Sequence, residues 1–222
     1  MKIDFVSDIA CPWCAVGLNA LEAALRELEG EIDVAIEFQP FELNPDMPPE
    51  GENADAYLAR KYGRPPEERK AIVDMIKQRG AEVGFSFGPR DHVWNTFDAH
   101  RLLMWAFDED PAAQRRLKHA LLQAYHGEGL NPADPELLVA AAAAAGLDAE
   151  RAAVIVGSDE YAEEVRVRIQ RWQSLGIQSV PSVVVNGRHL IQGGQPSDVF
   201  VRALREIEAG AAEGVGGQKG AA

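Results

Sequence analysis

Two cysteines separated by two residues stand between a predicted strand and a predicted helix. Residues 2–7 form a strand-like run, and from Leu18 onward apolar residues recur at helical spacing. Pro12 suits the first turn of that helix, where its missing N–H costs no hydrogen bond. Cys11 therefore lies at the positive end of a helix, whose free N–H groups favour a thiolate. The spacing also lets Cys14 reach Cys11 to form a disulfide.

The cysteine pair has three alternative interpretations, and the sequence weighs against each. A structural bridge across two residues would constrain little of the chain. A zinc site needs four ligands, but the chain has no other cysteine and its five histidines show no ligand spacing, so no metal is expected. Two buried, inert thiols are the third alternative. The order of strand, C-x-x-C and helix favours redox use instead.

Composition limits the classes of function and partner. The chain has 222 residues and a formal net charge of −13, and no basic patch stands out, so nucleic acid is not an expected partner. No apolar run approaches the ~18 residues of a membrane helix, and residues 1–7 lack the layout of a secretory signal. We therefore expect a cytoplasmic protein without a membrane partner. In that compartment a cysteine pair is more often catalytic than structural.

Strand patterns occur at both ends of the chain, and helical patterns lie between them. Residues 32–38 alternate as a second strand, which completes a βαβ unit with parallel strands. Helical periodicity then runs from Asn53 to Gly176. A strand at 182–185, a hairpin turn at Asn186-Gly187, a return strand and a last helix follow. The predicted class is α/β, with βαβ and ββα halves in one sheet and a large all-helical insertion.

A proline before the third strand gives the first family resemblance. Pro181 opens a strand within a mixed sheet, which is conspicuous because proline cannot donate to the ladder. The stretch from Val180 to Gly187 resembles the segment of thioredoxin-like folds in which a cis-proline, preceded by a β-branched residue, faces the C-x-x-C. With helices inserted between its two halves, the chain resembles the DsbA-like branch of the thioredoxin superfamily. The resemblance implies a thioredoxin-like fold with a mixed central sheet.

Four stretches carry a closer resemblance, to the FrnE-type subgroup of DsbA-like proteins. They read SDIACPWC, PFELNP, NTFDAHRL and QGGQP, and they span nearly residues 1 to 208. The resemblance implies a thioredoxin-like domain made of residues 1–43 and 158–208, with the helical insertion at 44–157. The tail, residues 209–222, is rich in Gly and Ala and is predicted to be disordered.

The resemblance also implies a proton-transfer role for an acid in the first strand. In similar proteins such an acid sits beneath the buried cysteine, and Asp4 matches best by position. The alternative for Asp4 is an inert, hydrogen-bonded carboxylate at the end of the sheet. Asp8, after the strand, is predicted only to shape the active-site loop. His100 is interpreted as a hydrogen-bonded core histidine.

Further residues are predicted to contact a substrate. The backbone of Val180 can pair with an extended peptide as an added strand would. Trp13 is predicted to be exposed for stacking, and the alternative is a ring folded over the helix N-terminus. Aromatic side chains could wall an apolar groove, although at such spacing they are more often core. The predicted substrate-binding residues are Pro12, Trp13, Phe41, Trp94, Val180 and Pro181.

The predicted function is thiol–disulfide exchange of the DsbA/FrnE type on protein or small-molecule disulfides. Cys11 is the predicted nucleophile and Cys14 the resolving thiol, and their redox-active disulfide stands in place of a bound cofactor. Glutathione as a co-substrate and a homodimer are open alternatives. The direction of electron flow depends on the reduction potential.

A glutathione-dependent isomerase or transferase is the alternative function. Kappa-class glutathione transferases and 2-hydroxychromene-2-carboxylate isomerases share the inserted fold, but a serine typically replaces their first cysteine. Cys11 departs from that pattern. The segment from Gly193 to Pro196 also departs from it, because those enzymes tend to carry a Ser-Asp pair there and Asp198 is the only nearby acid. A non-catalytic binding module is disfavoured by the intact C-x-x-C.

Overall fold

The computed structural model describes residues 1–216, in which no helix is both long and apolar enough to cross a membrane. The strands are β1 (Lys2–Ser7), β2 (Ala35–Pro40), β3 (Glu52–Asn53), β4 (His92–Val93), β5 (Ser182–Val185) and β6 (His189–Gln192). The helices are α1 (Pro12–Glu27), α2 (Ala54–Tyr62), α3 (Pro66–Glu82), α4 (Phe97–Glu109), α5 (Pro111–Leu122), α6 (Pro135–Ala144), α7 (Ala149–Val156), α8 (Ala162–Ser174) and α9 (Ser197–Gly216). A π-helical turn, Gln123–Gly127, continues α5.

A four-stranded mixed sheet joins the two ends of the chain. Its order is β2-β1-β5-β6, with β1 parallel to β2 and antiparallel to β5. Phe5 of β1 stands opposite Phe38 of β2, and their rings meet edge to face at 5.8 Å. The βαβ unit is parallel because α1 carries the chain back across the sheet. The predicted α/β, thioredoxin-like fold class with a mixed sheet is confirmed.

One hydrophobic core extends from the sheet into the inserted helices. Ile3 and Phe5 on one face of β1 pack in the same cluster as Leu21 of α1, Phe200 of α9 and Trp105 of α4. Fully burying a side chain of this size stabilises a fold by roughly 1.5–3 kcal/mol. The insertion shares this core with the sheet, so the packing does not separate the two predicted domains. The boundaries predicted at 43/44 and 157/158 therefore stay predictions.

Two parts of the chain differ from the sequence-based expectation. The insertion is not entirely helical, because β3 and β4 pair antiparallel within it. Two-residue strands are too short to show an alternating pattern. The tail was predicted to be disordered from residue 209, but α9 continues to Gly216. Alanine is the strongest helix former and extends the amphipathic turns before it. Residues 217–222 lie outside the described residues.

Candidate active site

The two cysteines lie where β1 ends and α1 begins. Cys11 occupies the N-cap position of α1, Pro12 opens the helix, and the backbone N–H of Cys14 donates to the Cys11 carbonyl at 3.0 Å. Cys11 is 4% exposed and Cys14 is fully buried, and both are free thiols. The sulfur of Cys11 is therefore the one that a substrate can reach.

The two thiols differ in acidity. A hydrogen bond from the Cys14 thiol, together with the backbone N–H groups of Cys14 and Trp13, lowers the pKa of Cys11 although burial and the Asp8 carboxylate oppose the shift. Burial raises the pKa of Cys14 well above its ordinary value. The arrangement thus favours a thiolate at Cys11 and a protonated thiol at Cys14, which is the division that nucleophile and resolving cysteine require.

The segment before β5 faces the reactive sulfur. The Val180 carbonyl lies 3.5 Å from Cys11 Sγ and accepts a hydrogen bond from that thiol, and the Val180–Pro181 peptide bond is cis, the geometry expected from the sequence. A Cβ added at Gly17 would lie 3.0 Å from Pro181 Cγ. The missing side chain at Gly17 therefore lets α1 approach Pro181 closely, which holds the thiol beside the Val180 carbonyl.

Trp13 is only partly exposed, so its role in stacking on a substrate stays a prediction. The ring of Trp13 packs on the loop that follows β6. A Cβ added at Gly194 would lie 3.2 Å from Cε3 and from the carbonyl oxygen of Trp13. Gly194 therefore provides the flat surface on which the ring packs, while part of Trp13 stays accessible beside Cys11.

Asp8 holds the active-site loop to the rest of the molecule. Its buried carboxylate accepts hydrogen bonds from the backbone N–H of Ala10 at 3.0 Å, the N–H of Leu43 at 2.7 Å and the Thr96 hydroxyl at 2.7 Å. His100 Nε2 lies 3.4 Å away. Burial alone would raise the pKa of Asp8, but the hydrogen bonds from His100, Leu43 and Ala10 hold it below the ordinary value. The loop-shaping role suggested by the sequence agrees with these contacts.

The helical insertion adds two buried bases to the site. Lys118 of α5 is fully buried, and its positive charge lowers the pKa of the Cys14 thiol. His126 of the π-helical turn donates from Nε2 to the Ile9 carbonyl at 2.8 Å. Burial lowers the pKa of His126 to about 3, so the imidazole is neutral. Sequence reasoning missed both. A lysine in the buried stripe of α5 was the available signal, because lysine is rarely buried.

Asp4 belongs to a different polar group. Its carboxylate pairs with Lys2 Nζ at 3.2 Å and accepts a hydrogen bond from Gln39 Nε2 at 2.7 Å. Side chains alternate along a strand, so Asp4 lies on the face of β1 opposite Phe5. Among the described residues, its contacts support the hydrogen-bonded alternative more than the proton-transfer role, which stays a prediction.

Phe41 and Trp94, two of the predicted substrate-binding residues, lie in packed clusters. Phe41 is buried with Val6, Trp172 and Val184 on the other face of the sheet, and Val180 packs against the same cluster. The substrate-binding role of Phe41 stays a prediction. Trp94 lies in the insertion, stacked on His92 at 5.3 Å and edge to face with Tyr125 at 5.8 Å.

Glu42 should make the stability of the fold depend on pH. This half-buried acid has its pKa raised to about 7 by burial and by the Asp8 carboxylate. The pKa of Glu42 is higher in the folded protein than in the unfolded chain. The free energy of unfolding is therefore greatest below the unfolded-state pKa and falls as the pH rises towards 7. After allowance for solvent screening of a partly exposed group, Glu42→Gln should raise the free energy of unfolding at pH 8 by about 1 kcal/mol.

Urea unfolding of Glu42→Gln at pH 8 and pH 4.5 measures this effect. The gain should be present at pH 8 and small at pH 4.5, where the parent carboxyl is already protonated in the folded state. Glu50→Gln, at an exposed position in the same loop, is the matched control. An equal gain at both pH values would contradict the electrostatic explanation.

A comparison with protein families decides the family. The model of the DSBA-like thioredoxin domain matches residues 2–205. The chain belongs to this family. The match covers both parts of the sheet, the redox pair and the inserted helices, as the sequence motifs predicted.

Solved structures with the same architecture include both functional classes considered above. The probable DsbA oxidoreductase from Streptomyces coelicolor is 32% identical with a TM-score of 0.86, and the match covers 94% of this chain and 90% of that one. A 2-hydroxychromene-2-carboxylate isomerase has a TM-score of 0.70 at 15% identity, with 96% and 98% covered. The cytosolic disulfide reductase DsbM from Pseudomonas aeruginosa, solved with glutathione, has a TM-score of 0.65 at 18% identity, with 94% and 100% covered. The last two show a shared fold alone.

Proposed function

We propose that this member of the DsbA-like family is a cytoplasmic thiol–disulfide oxidoreductase that uses Cys11 and Cys14 on disulfide substrates. The observation that carries the proposal is the contrast between the two adjacent thiols. Hydrogen bonds lower the pKa of Cys11 at the start of α1, whereas burial raises the pKa of Cys14. Exchange through a mixed disulfide needs a nucleophile that is already a thiolate and a resolving thiol that stays protonated until the second step.

The proposed cycle has two exchange steps. The Cys11 thiolate attacks one sulfur of the substrate disulfide, the substrate S–S bond breaks, and the departing sulfur takes up a proton. Cys14 then loses its proton and attacks the Cys11 sulfur, which releases the second substrate thiol and leaves a Cys11–Cys14 disulfide. The substrate gains two electrons and two protons. The protein supplies both electrons and the Cys14 proton, and the second proton comes from solvent because Cys11 starts as a thiolate. The reverse sequence would oxidise a dithiol.

The residues around Cys11 would position the substrate. The reactive sulfur lies beside the Val180 carbonyl. The residues next to these two along the chain are half-buried Pro12 and Trp13 and the proline Pro181. An extended segment that carries a disulfide could add its backbone along Val180, as strand addition does in other peptide-binding sites. Because Cys11 is only 4% exposed, such a segment has to be narrow at its disulfide.

The proposal is tested by trapping the mixed disulfide. In Cys14→Ser the first exchange can occur but the resolving thiol is gone, so substrates should accumulate as covalent adducts on Cys11. Mass spectrometry of adducts formed in the native cytoplasm would identify them, and reductant should release them. The double variant with Cys11→Ser is the control and should capture nothing. An absence of adducts from folded Cys14→Ser would contradict the proposal.

Glutathione chemistry is the second candidate function. The narrow access to Cys11 favours a small thiol or disulfide, and the isomerase and the reductase solved with glutathione share the fold. The cysteine at position 11, where those isomerases carry a serine, weighs against isomerisation. In the trapping experiment, glutathione as the sole adduct would favour this candidate or a glutathione-coupled reductase, and captured client proteins would favour the first.

A further inference from the structure

The buried side chain of Lys118 makes no hydrogen bond. It is 0% exposed, and its Nζ has no hydrogen-bond partner among the described residues. The side chain lines a narrow cavity with Phe38, His100 and Leu103, and no water-sized sphere fits in that cavity. A lysine buried in this way is destabilising unless an anion nearby compensates its charge.

The groups that act on Lys118 come from four elements. Burial lowers the pKa of Lys118 to about 8, and the opposing negative charges are, in decreasing order, those of Cys14, Asp8 and Cys11. Lys118 in turn lowers the pKa of two neighbouring imidazoles. Lys118 lines the same cavity as His100, whose Nε2 lies 3.4 Å from the Asp8 carboxylate, and the backbone N–H of Asp8 donates a hydrogen bond to the Cys14 sulfur. The titratable groups coupled to Lys118 by charge are Asp8 after β1, Cys11 and Cys14 at the start of α1, His100 of α4, and His126 of the π-helical turn.

We propose that Lys118 is the group that stabilises the Cys14 thiolate when Cys14 resolves the mixed disulfide. This inference rests on the proposed exchange function and adds a residue of the helical insertion to it. In the resolving step the Cys14 S–H bond breaks, a Cys14–Cys11 S–S bond forms, and the Cys11–substrate S–S bond breaks. The proton lost by Cys14 ends on the departing substrate thiol. Lys118 acts in this step through the charge on Cys14 and, being 0% exposed, does not touch the substrate.

The need for such a group follows from the burial of Cys14. A thiolate that forms without solvent is unfavourable unless a positive charge lies nearby, because desolvation penalises the charged form. His126 is neutral and His100 has its pKa lowered by burial, so neither imidazole supplies that charge. Asp8 adds a negative charge to the same region. Lys118 is the cation that remains on this side of the redox pair among the residues described.

The variant Lys118→Met tests the proposal through the two phases of reaction with Ellman's reagent. In the reduced protein, attack by Cys11 releases one thionitrobenzoate, and attack by Cys14 on the resulting mixed disulfide releases the second. Removal of the ammonium should raise the pKa that governs the second phase by about one unit, which slows it about tenfold at pH 7. The first phase should change less than the second. Stopped-flow rates over a pH series separate the phases.

Controls separate this charge effect from packing. Leu121→Met, at another buried position of α5, should leave both phases unchanged. Lys118→Met removes a buried charge that lacks a partner, so it should be at least as stable as the parent, and Lys118→Gln provides a second neutral variant. An unchanged second phase at every pH, or equal slowing of both phases, would overturn the role of Lys118. A missing first phase in the parent would instead contradict the proposed function.

Discussion

Replacing Cys11 with serine should abolish catalysed disulfide exchange. Reduction of insulin by dithiothreitol in the presence of Cys11→Ser should fall by about 10³-fold or more, to the uncatalysed rate, because a hydroxyl stays protonated and cannot attack a disulfide as a thiolate does. The helix N-terminus and the hydrogen bonds from Cys14 and Trp13 that lower the pKa of Cys11 would have no thiolate to stabilise. The rate of insulin precipitation measures the loss.

The same variant separates the two candidate functions. Serine at position 11 is the residue that the glutathione-dependent isomerases typically carry, so Cys11→Ser would be closer to their pattern. Isomerisation of 2-hydroxychromene-2-carboxylate by Cys11→Ser with glutathione, at an enzyme-like rate, would favour the isomerase class. Cys14→Ser is the matched control, since it should lose turnover but keep one reactive thiol. Insulin reduction that survives in Cys11→Ser would show that another group is the nucleophile.

The redox half of the site could be predicted from the sequence because its signals are local. A strand pattern, a helix stripe and Pro12 between them place Cys11 at a helix N-terminus without knowledge of the tertiary structure. The hairpin signal at Asn186-Gly187 similarly marks the strands beside Val180. Each of these features depends on neighbours within a few residues, which is the range over which sequence patterns are informative.

The other half of the site depends on packing between distant segments. Lys118 and His126 lie beside the active-site loop only because the inserted helices share a core with the sheet. The position of Lys118 beside the apolar stripe of α5 was a local signal of its burial, but it did not indicate which groups the ammonium would meet. The sequence could not decide between Asp4 and Asp8 as the acid beside the cysteines for the same reason, because their positions depend on tertiary structure. Asp4 is fixed by the pleat of β1 to the side of Lys2, whereas Asp8 lies after the strand and turns into the loop.

Asp8→Asn should destabilise the fold at neutral pH by about 3 kcal/mol or more, because a buried acceptor-only group is replaced by an amide whose NH₂ faces N–H donors. The backbone N–H groups of Ala10 and Leu43 would lose charge-assisted hydrogen bonds. The pKa of Asp8 is lower in the folded protein than in the unfolded chain. Asp8 therefore contributes to the free energy of unfolding above its unfolded-state pKa, and this contribution is lost as the pH falls through its folded-state pKa. The difference between variant and parent should therefore shrink in acid.

Two measurements distinguish this electrostatic role from simple packing. Urea unfolding of Asp8→Asn from pH 7 down to pH 3 should show the shrinking difference, whereas Asp198→Asn, at an exposed helical carboxylate, should stay within about 0.5 kcal/mol of the parent. Thiolate absorbance should show a lower pKa for Cys11 in Asp8→Asn, because the Asp8 charge raises that pKa in the parent. A variant as stable as the parent at pH 7, with an unchanged Cys11 titration, would show that Asp8 neither holds the loop nor acts on the nucleophile.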